Sequence, residues 1–169
     1  FPTRFMLVAA TNPCPCGYAG VADRCTCSEI DIRRYERRLS GPLLDRMDLL
    51  VNVVRPTEDE MTAAPITDSA SVRARVAEAR ERQRARLQGT RASCNGELDA
   101  GLINARVRLD DEAQANLGGA YLSGQLSARG RHRIIRVAQT IADLGGRDRI
   151  SGADVHTAIS GVADHFAEN

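Results

Sequence analysis

Two short apolar runs stand in the first third of the chain, Phe5-Met6-Leu7-Val8-Ala9-Ala10 and Leu49-Leu50-Val51-Asn52-Val53-Val54. Neither alternates with polar residues, which is the pattern of strands buried on both faces of a parallel sheet. Between them, Ile32, Tyr35 and Leu39 recur at helical spacing over Glu29 to Leu39. Ser28 is placed to cap this helix, with Asp31 completing a box-like pattern. The order strand, loop, helix, strand predicts an α/β crossover over residues 1–55.

Residues 56–67 are bounded by prolines and carry a local excess of acid, the composition of a linker. Everything from 68 to 169 reads helical. Ser69 to Leu87 places Val72, Val76, Ala79 and Leu87 on one stripe, and Asp110 can cap a helix carrying Ala113 and Leu117. Ser127 opens a third helix, with Ile134, Ile135, Val137, Ala138, Ile141 and Ala142 on its apolar face and Gly145-Gly146 at its end. Ser151 with Asp154 caps a fourth, whose stripe is Val155, Ile159, Val162 and Phe166. The expectation is an α/β fragment followed by a small helical bundle.

Composition narrows the chemistry. All 23 basic residues among the 169 are arginine, so the chain cannot supply a phosphate-cradling loop ending in Gly-Lys-Ser/Thr, nor any Schiff-base lysine. Aromatic residues make up 4% with no tryptophan, which predicts an aliphatic, alanine-rich core. A net charge of +1 gives no global pull toward nucleic acid or membrane, so partners must be sought in local arginine clusters. No apolar run reaches the roughly 18 residues of a membrane span, and no charged leader precedes an apolar stretch. A cytoplasmic protein is expected. The chain opens without methionine, almost directly on a strand-like run, and reads as a piece of a larger protein.

Cys14-Pro-Cys16 and Cys25-Thr-Cys27 form two C-x-C pairs separated by eight residues that include Gly17 and Gly20. Four thiolates at such range suit tetrahedral Zn²⁺, which would substitute for a hydrophobic core in this loop. The commoner knuckle spacing is C-x₂-C, so the signature is weaker than that of a zinc ribbon. An iron–sulfur cluster, disulfides or unligated thiols are the alternatives; a fifth cysteine, Cys94, and no signal segment speak against stable disulfides. Asp23 is the one acidic residue in the loop that offers a substitute ligand.

Three further features suit phosphate. Asn12 follows the first apolar run, at the carboxyl end where α/β sheets place ligands, and can orient a water or bond a phosphate oxygen. It equally fits a turn before Pro13. Arg46, in Ser40-Gly41-Pro42-Leu43-Leu44-Asp45-Arg46-Met47-Asp48, can project into a neighbouring subunit's nucleotide or pair with Asp45 or Asp48. In Ser127-Ala128-Arg129-Gly130-Arg131-His132-Arg133-Ile134-Ile135-Arg136, residues Arg129, Arg133 and Arg136 share a face at the front of a helix. Their charge opposes the helix dipole and invites an anion or an acidic neighbour; a solvated face is the alternative.

These motifs in this order, with Ala9-Ala10-Thr11-Asn12-Pro13-Cys14-Pro15-Cys16-Gly17-Tyr18, Arg33-Arg34-Tyr35 and Ala142-Asp143-Leu144, resemble the magnesium-chelatase-like AAA+ ATPases of bacteria. Within them the match is to the ComM/YifB branch, and it covers nearly the whole chain. The resemblance implies a hexameric ring ATPase using ATP and Mg²⁺, with members that act on DNA as helicases promoting branch migration. It implies that Asn12 is sensor 1, Arg46 the arginine finger and Arg129 sensor 2, with Arg133 the second choice for that role. Residues 1–55 would be the last part of the AAA+ core and 68–169 the helical lid. The phosphate-binding loop and the Mg²⁺-binding acidic motif are not in this sequence, so the chain alone is expected not to hydrolyse ATP.

Two other readings stand beside this one. The first is a non-catalytic zinc-stabilised module that binds DNA or a protein through the helix bearing Arg73, Arg75, Arg80, Arg82, Arg84 and Arg86, whose arginines otherwise form a solvated face. The second is an ATPase subunit that drives insertion of Mg²⁺ into a porphyrin.

Overall fold

Each long helix of this chain begins on a side-chain oxygen that the sequence supplies. In the computed structural model, which describes residues 5–21, 23–39, 41–44, 46–53, 55–64 and 67–163, contacts divide the chain into two units meeting at Met47 and Asp48. In the first unit, helix α1 (Glu29–Glu36) starts at Ser28, whose Oγ accepts from the Asp31 N–H at 3.2 Å while the Asp31 carboxylate accepts from the Ser28 N–H. The Ser28 hydroxyl, donating to that carboxylate at 2.6 Å, and then the Ser28 N–H hold the Asp31 carboxyl below its usual pKa. A single turn, α2 (Gly41–Leu44), follows.

The second unit begins with α3 (Glu58–Thr62), a short helix inside the segment expected to be a linker, with Thr57 and Glu60 as its capping box. Helix α4 (Ser69–Leu87) is capped by Asp68, and a 3₁₀ turn at Asn95–Glu97 leads to α5 (Ala100–Arg106), capped by Asp99. Helices α6 (Asp111–Leu122), α7 (Ala128–Leu144) and α8 (Gly152–Ala163) complete it. Asp110 caps α6, and Ser127 caps α7 through the Gly130 N–H at 3.0 Å. Ser151 accepts from the Asp154 N–H at 3.3 Å to start α8.

Helix α7 lies at the centre, against α4, α6 and α8. Its Ile134, Ile135 and Ala138 are buried with Leu87, Leu98, Ile103, Leu117, Ile150 and Val155, giving the aliphatic, alanine-rich core that the composition predicts. A lone parallel bridge joins Leu109 to Ile150 and ties the entries of α6 and α8 together. Val162 and Phe166 of the predicted stripe lie outside the described side chains, as do Val54, Ser40 and Asp45.

Two expectations are corrected. Among the described residues there is no β-strand: 5–10 and 49–53 have no ladder, and Phe5, Met6, Val8, Val51 and Val53 are strongly exposed. A buried strand needs neighbours on both edges and cover on both faces; no described segment forms a ladder with either run, and the Leu50 N–H goes instead to the Gly161 carbonyl of α8 at 3.2 Å. The described residues are therefore helical, and the α/β class does not hold for them. The second correction concerns α4, whose stripe is buried at Ala79, Gln83 and Leu87 but open to solvent at Val72 and Val76. The first turns of this helix extend past the elements that cover its second half.

Candidate metal centre

The loop between residues 14 and 27 folds on backbone turns. The Gly17 N–H donates to the Cys14 carbonyl at 3.0 Å, and the Val21 N–H to the Tyr18 carbonyl at 3.0 Å. Gly17 and Gly20 take φ values of +84° and +81°, which a side chain would resist. Arg24 lies over the Tyr18 ring at 4.3 Å and donates to its hydroxyl at 3.2 Å, bracing the loop from outside.

These turns bring Cys14, Cys16, Cys25 and Cys27 together, all Sγ atoms lying within 4.8 Å of one another. The separations are 3.3 Å for Cys14–Cys16, 3.7 Å for Cys16–Cys25 and 4.0 Å for Cys14–Cys25. Zn–S bonds of about 2.3 Å in a tetrahedron require edges of about 3.8 Å, so the donors fit the ion in number, softness and spacing. A disulfide needs about 2.05 Å, and all four thiols are free. Cys14 is buried and the others half-buried. No carboxylate joins the group, so Asp23 is not among these ligands; it sits at φ +61° in the loop instead. Cys94 belongs to the second unit.

The thiols are electrostatically unequal. Backbone N–H groups of Thr26 and Tyr18, with the Cys14 thiol, pull Cys16 down to about 6. The Cys16 N–H also favours a thiolate at Cys27, but the Cys16 sulfur, burial and Cys14 outweigh it and push Cys27 up to about 12. At Cys25 the Cys27 N–H acts downward, and burial with the Cys16 and Cys14 sulfurs raises the thiol. The cluster thus stabilises one thiolate readily and resists the next. A divalent cation reverses that resistance because each further thiolate then meets positive charge. With four sulfur donors no coordination position is left for water, so such a centre is structural.

The structure sorts the other predicted residues by exposure. Asn12 is exposed, with its side chain over the open face of Gly17: a Cβ added there would meet Asn12 Nδ2 at 3.8 Å. Arg46 is exposed just after α2, its N–H on the Leu43 carbonyl at 3.0 Å. Asp48, considered as its partner, accepts from Arg136 Nη2 at 3.3 Å within the second unit. Arg129 is exposed in the first turn of α7, whereas Arg133 is 5% exposed and packed into the core. The shared arginine face is thus divided, with Arg129 outward, Arg133 inward and Arg136 tied to Asp48. Asn12 and Arg46 belong to one unit, Arg129 and Arg133 to the other.

The arginines of α4 also part company. Arg82 donates to Asp148 at 3.1 Å and Arg84 to Glu81 at 2.8 Å. Arg86 is half-buried in a two-pronged ion pair with Asp143, which sequence reasoning singles out only within the Ala142-Asp143-Leu144 motif and not as a partner of Arg86. Asn95 and Gln139 donate to the same carboxylate at 2.8 and 3.2 Å. Arg73 and Arg75 are exposed. The helix is more structural than a continuous basic contact surface would be.

Comparison with known proteins places these features in a family. The family described as Magnesium chelatase, subunit ChlI matches residues 1–61, and Magnesium chelatase, subunit ChlI C-terminal matches residues 66–161. An uncharacterised protein of Mycobacterium tuberculosis is 43% identical over 162 residues, 95% of this chain and 32% of that protein. YifB of Escherichia coli is 39% identical over 163 residues, 95% of this chain and 31% of its own. The competence protein ComM of Haemophilus influenzae is 40% identical over 153 residues, 89% of this chain and 29% of its own. The chain thus spans about a third of the length of these relatives. Among the described residues no helix is long and apolar enough to cross a membrane.

Proposed function

Because the chain belongs to the magnesium chelatase subunit ChlI family, in its ComM/YifB branch, we propose that it is the C-terminal portion of a ring-forming AAA+ ATPase acting on DNA. The observation that carries the reading is the contrast along α7: Arg129 is exposed on the first turn while Arg133 is buried. A guanidinium that senses bound nucleotide must reach it, and Arg129 is the one of the two that can. Arg46, exposed after α2, is the finger, a fixed charge offered to the ATP of the adjacent subunit as the phosphoryl group transfers. Asn12 holds the attacking water by its side-chain amide. That ComM of Haemophilus influenzae is a competence protein favours DNA as the substrate on which the motor works.

ATP and Mg²⁺ serve the full-length protein, and the residues that grip the terminal phosphates come from sequence outside this chain, which has no lysine. The chain alone therefore does not turn ATP over. Cys14, Cys16, Cys25 and Cys27 would hold Zn²⁺, which supplies cross-links where the loop has almost no apolar core. In the full-length protein, Arg46→Ala removes ATP turnover while nucleotide binding stays near wild type. A variant that loses binding and keeps the turnover of whatever binds contradicts the finger role.

A further inference from the structure

The short segment carrying Asn12 lies beside the cysteine loop on one side and helix α1 on the other. On one side its amide lies over Gly17, with the site of an added Cβ 3.8 Å from Nδ2 and 3.9 Å from Cγ. Gly17 directly follows Cys16, and its N–H closes the turn on the Cys14 carbonyl. On the other side the Thr11 hydroxyl is 3.3 Å from the hydroxyl of Tyr35 on α1. That helix begins at Glu29, immediately after Cys27 and its cap Ser28. Residues 11 and 12 therefore bridge the turn of the first cysteine pair and the helix that leaves the second.

The relation between those two supports depends on what joins the cysteine pairs. As thiols they meet through sulfur contacts of 3.7 to 4.0 Å between the pairs, which are weak hydrogen bonds. No residue of α1 is buried, so hydrophobic packing of that helix does little to fix it against the turn. A cation bound by all four sulfurs would join the pairs covalently and remove that freedom.

We propose that the four-cysteine centre is a positioning device for Asn12: loading it with a divalent cation fixes the Gly17 turn against α1 and thereby sets the side-chain amide of Asn12. The inference rests on the reading of Asn12 as the residue that holds the attacking water, and on that reading the metal governs turnover without touching nucleotide. Asn12 is then tuned through Gly17 and Tyr35, which are positioning residues.

The test uses the ¹⁵N-labelled chain, reduced and metal-free, titrated with ZnCl₂ while the side-chain amide signals of asparagine are followed. The Asn12 pair is identified by its loss in Asn12→Asp. It is expected to move with zinc until one ion per chain is bound and then stop, and Cys27→Ser is expected to abolish the movement. Tyr35→Phe is expected to keep the zinc stoichiometry and shrink the movement, a result that a merely structural tyrosine would not give. Zinc binding at one ion per chain with the Asn12 pair unmoved overturns the proposal, as does failure to take up zinc at all. Should the pair follow zinc while full-length Asn12→Ala keeps wild-type ATP turnover, the coupling stands and the assignment of Asn12 to the water falls.

Discussion

Asp143 receives hydrogen bonds from Arg86, Asn95 and Gln139, and it is fully buried. A buried carboxylate so completely paired makes a steep local demand: removing it leaves the Arg86 guanidinium, 12% exposed, without its counter-charge. Asp143→Ala is expected to destabilise the chain by about 3–5 kcal/mol in urea titration, and the paired change Arg86→Met with Asp143→Leu by distinctly less. Helical spacing says which face Arg86 occupies but not what waits opposite it 57 positions along the chain, which is why it looked like its solvated neighbours. Asp154 makes a second such pair: Arg147 grips it with both Nη atoms at 2.5 and 2.7 Å while the Ser151 N–H donates at 2.9 Å. Burial opposes its ionisation, but Arg147 and Ser151 prevail and hold the carboxyl below its ordinary value of 3.8. A depressed carboxylate contributes stability above its unfolded pKa and loses it as pH falls through the folded one. The urea midpoint of the wild type should therefore fall from about pH 5 downward, and that of Asp154→Asn should fall less.

At the scale of elements, caps and stops were the most legible features because their chemistry is local. Ser28, Asp110 and Ser127 read directly as helix starts, and the Gly145-Gly146 stop is a Schellman ending: the Arg147 N–H reaches the Ala142 carbonyl at 2.8 Å and the Gly146 N–H that of Asp143 at 3.1 Å. Gly146 holds φ +71°, so Gly146→Ala should cost about 1–2 kcal/mol. Gly119 lies inside α6, and a Cβ there meets nothing within 4 Å, so Gly119→Ala should stabilise by about 0.5–1 kcal/mol. Thermal melts of the two variants shifted in the same direction would contradict this assignment. What the sequence could not reveal was the neighbour. Phe5 to Ala10 and Leu49 to Val53 have strand-like composition, yet a strand exists by pairing, and no described segment pairs with them. Val72 and Val76 fit the stripe of α4 but remain largely open to solvent. The short helix α5 escaped notice because its apolar pattern is only two turns long.

For the whole molecule, the cysteine quartet was the most transparent site, since two close pairs on one glycine-containing loop have few ways to avoid meeting. The arginines expected to handle phosphate were harder, because helical spacing puts Arg129 and Arg133 on one face and only the packing of α7 separates them. Arg46 and Arg129 lie in different units of a chain that spans about a third of its relatives. On the proposed reading each serves a nucleotide site completed by other sequence, Arg46 the site of another subunit. The central claim is tested most directly by mixing two inactive full-length proteins, one carrying Arg46→Ala and the other disabled in its phosphate-binding loop, and measuring ATP turnover. A subunit that keeps its nucleotide but lacks a finger should be rescued by a neighbour that keeps its finger but binds no nucleotide. Turnover in the mixture well above that of either protein alone is the predicted result, and a mixture as inactive as its components contradicts it.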